Sequence, residues 1–518
     1  MPTYLSPGVY VQEIDAATRP IEGVGTAVAA FIGIAPKGPE NTPTLVSNWT
    51  QFVDQFGGLY PGAYLAYSVY GYFLNGGGNC YVVRIGTAAV SGRSLKRDQK
   101  QLAGGPQTAK IGPYVFTAKN ASPNAKPIKV EIDDPGGESP EEGAFKVAIT
   151  IEGKAPEVFD NVSPKASSPT YIATKLAESK LVTVTVDEAA GAVKPRNGSF
   201  DLVVPEPVEE PIVLDNIGAA NYIGSPADRT GFSGLEEIED VTMVAVPDLM
   251  AAFEQGAVDL ETVKAVQLAV IAHCELMGDR VAILDPPPQL SAQEAGEWRR
   301  TGAGYDSKFA TLYYPWIKVL DPVSGTNRFM PPSGHIAGVW ARNDNERGVH
   351  KAPANEVIRG VVELQTQLTR IEQETLNPIG VNALRTFPGR GIRVWGARTL
   401  SSDPAWRYVN IRRLFNYLEK SILNATQFAV FEPNDPALWG KLSRSISSFL
   451  IGEWRKGALF GRTPDEAFYV KCDAETNPAD VIDSGQVVCQ IGVAPVKPAE
   501  FVVFQLSQFS GGTSLVSE

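Results

Sequence analysis

This 518-residue chain is poor in the residues that most often carry group-transfer chemistry, with three histidines and four cysteines, and has a few glycine-rich turns. Cys80, Cys274, Cys472 and Cys489 contain no C-x-x-C spacing, so the expectation is free thiols buried in a core that folds in a reducing compartment. His273, His335 and His350 have no spacing that would build a zinc site. Gly23-Val24-Gly25 opens like a dinucleotide fingerprint. Val28 stands where its third glycine belongs, however, and the apolar run follows the glycines instead of preceding them. Gly440-Lys441 lacks the upstream glycine of a phosphate loop, and Leu442 follows it, which reads as helix surface. Gly231-Phe232-Ser233-Gly234 breaks the nucleophile elbow one residue early. In PPSGH (331–335) a serine and a histidine stand too close in one turn for the ring to activate the hydroxyl, so a rigid turn is expected. Asp285 and Asp321 each precede proline and read as turn or cap residues. Arg412 and Arg413, followed by Glu419 and Lys420, read as a solvated or interface face of a helix. No catalytic, cofactor or metal constellation is left, and the chain reads as a non-enzyme.

The elements that would position any such groups are legible in outline. Residues 27–34 are apolar and end at Pro36-Lys37-Gly38-Pro39, the pattern of a buried strand followed by a turn. Residues 63–74 place Leu65, Val69, Tyr72 and Phe73 on one helical face ahead of Gly76-Gly77-Gly78, and 80–85 return as a strand. Further on, 241–246, 260–277 and 280–284 read as strand, helix and strand, a βαβ unit, with Val263, Val266, Val270 and Ile271 on the inner face of the helix. Asp403-Pro404 and Asp435-Pro436 each pair a cap residue with a proline suited to a first turn, so both are predicted to start helices. The second helix carries Leu438, Leu442, Ile446, Phe449, Leu450 and Trp454 on its packed side.

Between about 90 and 235 the texture changes. Short β-like runs at 128–132, 145–151 and 181–186 alternate with Pro, Gly and acidic loops, and the stiff segment PEPVEEP (205–211) marks a linker. The predicted organisation is therefore an α/β (α+β) multidomain chain with a mixed-sheet core. An arm occupies 1–25, the first part of the core 26–90, an inserted β-rich outer domain 91–235, the α/β core 236–485, and a C-terminal arm 486–518.

A formal charge of −12 argues against a surface that neutralises phosphates and for a basic partner. The nine-residue run at 27–35 is preceded by acidic residues and is too short to span a bilayer, so neither a secretory signal nor membrane insertion is expected.

Once chemistry is set aside, the two ends stand out. Val9, Tyr10, Val11 and Gln12 follow Pro7-Gly8, and Phe501, Val502, Val503, Phe504 and Gln505 follow Pro495 and Pro498; each run is β-prone and tethered by proline. A tethered strand pairs within its own subunit or adds to the sheet of another, and residue patterns alone favour self-pairing.

Several blocks resemble one family, in its order. They are SPGVYVQE (6–13), PPSGHIAGVWARND (331–344), RGVHKAPAN (347–355), FPGRGIRVWGARTLSS (387–402) and WRYVNIRR (406–413), all similar to contractile tail sheath proteins of phages, tailocins and extracellular injection systems. The likeness covers about 4–86 and 235–507, and the insert carries none of it. Type VI secretion sheaths divide the subunit between two chains, so single-chain sheaths are the better match.

The resemblance implies a subunit that assembles in the bacterial cytoplasm into hexameric rings stacked helically around an inner tube protein. It further implies baseplate and terminator or cap proteins as partners, no cofactor and no nucleic acid. The particle would be a phage tail or an injection device released from the cell. Both terminal segments would be lent to neighbouring subunits, and contraction would run downhill from a metastable extended state. The family places the tube-facing surface in the C-terminal core, where Asp465 and Glu466 are the candidate residues. Two other readings remain open at this point: an α/β enzyme with a ligand at the strand ends of the βαβ unit, and a static tail or baseplate component.

Overall fold

A computed structural model describes residues 21–85, 108–119, 127–136, 141, 143–151, 155–186, 193–202, 217–321 and 325–505. The chain divides into two units, Met1–Val90 with Ile212–Glu518, and Ser91–Pro211.

The larger unit opens on β1 (Ala29–Gly33), buried at every position as its unbroken apolar sequence demands. β2 (Thr44–Val46), α1 (Trp49–Phe56), α2 (Leu65–Leu74) and β3 (Cys80–Arg84) follow. The Asn48 side chain accepts from Gln51 N to start α1.

The smaller unit is β-rich. It contains β4 (Thr108–Ile111), β5 (Tyr114–Ala118), β6 (Ile128–Asp133), β7 (Phe145–Ile151), β8 (Glu157–Val162), α3 (Ile172–Leu176), β9 (Val182–Val186) and β10 (Gly198–Asp201). Two antiparallel sheets, in the orders β10-β6-β7-β8 and β4-β5-β9, share one core with Tyr114, Phe116, Val130, Ile132, Phe145 and Val147 at its centre. Strict alternation of buried and exposed residues along β6 sets the face that β6 turns inward.

The chain then returns to the larger unit through α4 (Ala219–Ile223). The division at 211 falls short of the 235 expected from sequence. Tyr222, Phe232 and Leu235 are buried in the main core, and the fully buried Arg280 donates to Leu235 O (3.0 Å) and Ile238 O (2.9 Å). The division coincides instead with the end of the PEPVEEP segment, 205–211. β11 (Met243–Ala245), α5 (Asp248–Glu254), α6 (Leu260–Met277) and β12 (Val281–Leu284) complete the predicted βαβ unit, with β11 and β12 parallel. Asp259 caps α6 through Thr262 N, Gly278 ends it in the left-handed conformation, and Val263, Val266, Val270 and Ile271 are buried.

Next come α7 (Ala292–Glu297), β13 (Ala310–Tyr314), β14 (Ile317–Leu320), β15 (Asn327–Met330), α8 (Ser333–Arg347), β16 (Val361–Leu364), α9 (Arg370–Leu376), β17 (Val381–Phe387) and β18 (Gly391–Val394). The central sheet runs β18-β17-β13-β12-β11-β1-β3-β2; its six inner strands are parallel and the edge strands β18 and β2 antiparallel. A separate antiparallel sheet has the order β15-β14-β16.

The C-terminal part contains α10 (Val409–Ala425), α11 (Pro436–Arg455), α12 (Pro464–Ala467), β19 (Phe468–Lys471), α13 (Ala479–Asp483) and β20 (Gln490–Val493). Asp435 caps α11 as predicted, its side chain accepting from Leu438 N at 2.8 Å. The start expected at Asp403 is a correction: Asp403 caps only the short 3-10 turn Pro404–Trp406, and α10 begins at Val409. Among the described residues no helix is long and apolar enough to cross a membrane, and no three His, Cys, Asp or Glu side chains gather as a metal site would require.

Candidate functional site

β19 and β20 form a two-stranded antiparallel sheet, Phe468 opposite Val493 through Lys471 opposite Gln490, and among the described residues neither is part of a wider sheet. Two strands of four residues are marginal by themselves. What holds this hairpin is the apolar layer beneath it: Phe468, Val470, Ile491 and Val493 pack on a cluster that includes Leu414, Leu418, Ile446 and Leu450 of α10 and α11. Leu438, Leu442, Ile446, Phe449 and Leu450 are buried as their helical spacing predicted, and Trp454 is half-buried.

Beyond β20 the chain turns back on residues 458–460, with Phe460 N donating to Ala494 O (2.7 Å) and Val496 N to Ala458 O (3.2 Å). It is then pinned at Glu500. This carboxylate accepts from Arg398 Nη2 (2.6 Å) and Nε (3.0 Å), Asn377 Nδ2 (2.7 Å) and Tyr408 Oη (2.9 Å). Burial pushes its carboxyl up, and the hydrogen bonds from Arg398, Asn377 and Tyr408 more than reverse this, holding it below the usual value.

Immediately after that anchor, Phe501, Val502, Val503 and Phe504 are 75%, 68%, 80% and 83% exposed, and Gln505 is exposed too. Residues 501–505 form no strand within the chain, contrary to the self-pairing that residue patterns favoured. Single exposed apolar residues are ordinary; four consecutive ones are not.

The other end enters beside the same cluster. Ile21 packs on it, Val24 N donates to Ser421 Oγ (3.1 Å), and Thr26 Oγ1 donates to Asp344 Oδ2 (2.7 Å). Arg413 donates to Thr26 O (2.9 Å) and grips Asp344 through both terminal nitrogens. Val9, Tyr10, Val11 and Gln12 lie outside the described residues.

Arg412 and Arg413 are therefore not a solvated or interface face, and the correction has a physical reason. Arg413 lies 4.7 Å from the Trp340 ring centre while bonded to Asp344, and Arg412 lies 4.5 Å from that of Trp406 and donates to Asn416 (2.7 Å). Aromatic faces and paired acceptors replace water around both guanidinium groups. No local pattern announces the partners, because Asp344 is 69 residues away from Arg413 and Glu500 is 102 from Arg398.

PPSGH is likewise not an isolated rigid turn but the entry to α8. Asp285 Oδ1 accepts from Ser333 N (3.0 Å), which caps the helix from a distant loop. Gly334 and Gly338 face α2: a Cβ at Gly334 would lie 2.4 Å from Ser68 Cα, and one at Gly338 2.5 Å from Tyr72 O. The helices thus pack backbone to backbone. Ser333 Oγ and His335 Nδ1 are buried and make no hydrogen bond to each other, and burial holds the His335 ring down at about 4, so no serine–histidine pair exists here. Asp321, the other proline-preceding acid, closes a turn with Gly325 N and accepts from Tyr67 Oη (2.9 Å).

Asp465 and Glu466 are exposed in α12, with Glu466 accepting from Arg462 N (2.7 Å). Cys80, Cys274 and Cys472 are buried thiols, and Cys489 is half-buried. A cleft of about 250 Å³ is lined by Thr26, Asp240, Asp279, Arg413, Tyr417 and Lys420. Both of its basic side chains are paired internally, Lys420 with Asp279 (3.2 Å) and Arg413 with Asp344.

The sequence patterns of two known domains match in tandem: the phage tail sheath protein central domain over residues 216–400 and the phage tail sheath C-terminal domain over 401–509. The tail sheath protein of Burkholderia phage BcepMu is 25% identical across 96% of this chain and 95% of its own length. That of Vibrio phage KVP40 is 28% identical over 55% of this chain, and the match spans 45% of the KVP40 protein. Among solved structures, the sheath complex of the extracellular contractile injection system PVC in its contracted state shares the fold at a TM-score of 0.58 and 24% identity, covering 98% of this chain and 99% of that one. The helical sheath of the anti-feeding prophage in its contracted state also scores 0.58, at 23% identity over 98% of this chain and 100% of that one.

Proposed function

The chain belongs to the phage tail sheath family and is a structural subunit of a contractile tail sheath; from this premise we propose how its two ends build the polymer. Residues 501–505 leave their own subunit and add as a strand to a neighbouring copy, and Val9, Tyr10, Val11 and Gln12 are lent in the same way. The acceptor is the β19–β20 sheet, whose outer edges offer unpaired backbone groups. The observation that carries this is the run of exposed apolar side chains directly after the anchored Glu500. Strand addition supplies backbone hydrogen bonds that survive a change of angle between bodies, so linked subunits slide and rotate without separating.

Subunits joined this way form hexameric rings stacked helically around an inner tube protein, ending on baseplate and terminator or cap proteins. A heterologous contact that does not close on itself yields such a filament. Total interface per subunit is on the order of 2,000 Å² or more, as in permanent assemblies. The extended lattice holds a higher-energy packing and relaxes to a lower one, so no nucleotide is consumed at this subunit. Asp465 and Glu466, exposed near the hairpin, face a basic tube. The unit Ser91–Pro211 points away from the tube; tubes that still form after its removal support this, and loss of all polymer counts against it. Assembly takes place in the bacterial cytoplasm and the particle is a phage tail or an injection device.

Deleting residues 501–518 tests the reading. Electron microscopy of the full chain is expected to show tubes in two lengths, extended and contracted, and the truncated chain to give soluble subunits or isolated rings. Normal two-length tubes from the truncation would end the proposal, and full-length tubes of a single length would make the polymer a static one.

A further inference from the structure

β19 and β20 bring two cysteines face to face. Their register ends at Lys471 opposite Gln490, and one step further sets Cys472 opposite Cys489. Ala494 N donates to Ala467 O at 2.8 Å, which marks that pair as hydrogen-bonded in the same register. Hydrogen-bonded and non-hydrogen-bonded pairs alternate along an antiparallel ladder, so Cys472 and Cys489 fall on a non-hydrogen-bonded position, where Cα atoms lie about 4.5 Å apart and side chains are closest. That spacing is inside the roughly 4.4–6.8 Å that a disulfide bridges. Both side chains belong to one apolar cluster with Leu438, Trp439 and Leu442. The backbone beside Cys489 is held by Asn477, which accepts from Val488 N (2.6 Å) and donates to Val488 O (3.1 Å). Cys472 is buried and Cys489 half-buried, so Cys489 is the residue of the two with more of its surface in solvent.

We propose that Cys472 and Cys489 are an oxidation site: a low-molecular-weight disulfide of the glutathione class converts them to an intramolecular disulfide that staples the β19–β20 hairpin. The Cys489 thiolate attacks one sulfur of the reagent, forming a mixed disulfide and expelling one reagent thiolate. The Cys472 thiolate then attacks Cys489 Sγ and expels the second. Two protein thiols lose two protons and two electrons, and the reagent is reduced to two thiols. The chain folds reduced in a glutathione-poised cytosol and becomes oxidisable once the particle meets an oxidising medium. The staple closes one end of the hairpin while leaving its outer edges available, and it rests on the hairpin geometry alone, independent of how the arms are used.

Burial pushes the Cys489 thiol up to about 12 and raises Cys472 as well, so the exchange is slow at neutral pH and accelerates with rising pH. The full chain is incubated with oxidised glutathione at pH 8.5, alkylated, cut at the acidic residues between the two cysteines and mapped by mass spectrometry. The expected result is a fall from four free thiols to two, with one linked peptide joining Cys472 to Cys489 and a rate that increases several-fold per pH unit. In Cys472→Ser the expected product is a stable glutathione adduct on Cys489 with no link. Four thiols persisting in the wild type, or separate adducts on both cysteines without a link, would overturn the proposal whether or not the variant folds.

Discussion

Arg413 and Asp344 form a bidentate ion pair, Nη2 to Oδ2 at 2.6 Å and Nη1 to Oδ1 at 3.0 Å, with their side chains 3% and 2% exposed. The pair joins α10 to α8 and, through Thr26, fixes the point at which the N-terminal segment enters the core. A second anchor, Arg398 with Glu500, does the same for the C-terminal segment. Thr26 and Glu500 are thus each held by a buried arginine.

Arg413→Ala is expected to destabilise the subunit by about 3–5 kcal/mol, because it leaves the Asp344 carboxylate buried without a partner. Arg413→Lys keeps the charge but loses the second hydrogen bond and the stacking on Trp340, and should recover only part of the loss. Chemical denaturation of the soluble subunit measures both. Hydrogen exchange adds a local readout: amides of residues 21–28 should exchange faster in each variant. An unchanged unfolding midpoint would show that the pair does not hold the core.

Glu500→Ala acts more locally. A single hydrogen bond to a charged group contributes roughly 1.5–3 kcal/mol; Glu500 accepts four but is 19% exposed, so water replaces part of what is lost and the fall in global stability should be smaller than for Arg413→Ala. The root of the arm is released instead. Proteolysis between 494 and 505 should become several-fold faster while the melting temperature moves little, and tubes should form poorly. If cleavage were unaffected, the anchor would be irrelevant to the arm.

Stability should also respond to pH through buried carboxyls. Burial raises Asp285 to about 7 and Asp248 to about 6, although Asp248 accepts backbone N–H bonds from Ile34, Tyr64 and Leu65. The folded chain keeps a proton that the unfolded chain releases near 4, so each group destabilises the fold as pH rises from about 4 towards its folded value, by up to about 1.4 kcal/mol per unit. His273 and His335, held at about 4 by burial, act in the opposite sense, costing stability as pH falls from about 6.5. The informative quantity is therefore a difference. Asp285→Asn should gain stability relative to the wild type between pH 5 and pH 8 in urea titrations, and a pH-independent difference would mean that Asp285 is already charged throughout.

How much of this was readable in advance follows from distance along the chain. α6 was legible over 260–277 because its apolar period is local, and the structure adds the Asp259 cap and the Gly278 stop at its two ends. β1 was legible because nothing but burial suits its composition. The anchors were not: Arg413 looked like part of a solvated or interface face and nothing local singled out Arg398, since the acids they bond are 69 and 102 residues away. PPSGH looked like a turn because proline and glycine dominate it; the reason for its Gly334, and for Gly338 one turn on, is α2, more than 260 residues earlier, which the two glycines admit to backbone contact. The exposed run at 501–505 was visible as β-prone, yet no pattern within it says whose sheet it joins.

Val503→Pro addresses that last question without changing length or, to any degree, apolar character. Val503 is 80% exposed and residues 501–505 form no strand in the isolated subunit, so proline there should leave folding and melting unchanged. In an added strand it removes one backbone donor from the ladder and restricts the residue before it. Val503→Thr is the control, since it keeps the β-branched shape and the N–H. If the segment pairs with a neighbouring sheet, the proline variant should give folded subunits that do not sediment as tubes, while the threonine variant assembles. Equal assembly of both would show that any contribution of Phe501 to Phe504 comes from side-chain burial and not from strand addition, since only the proline disturbs the backbone.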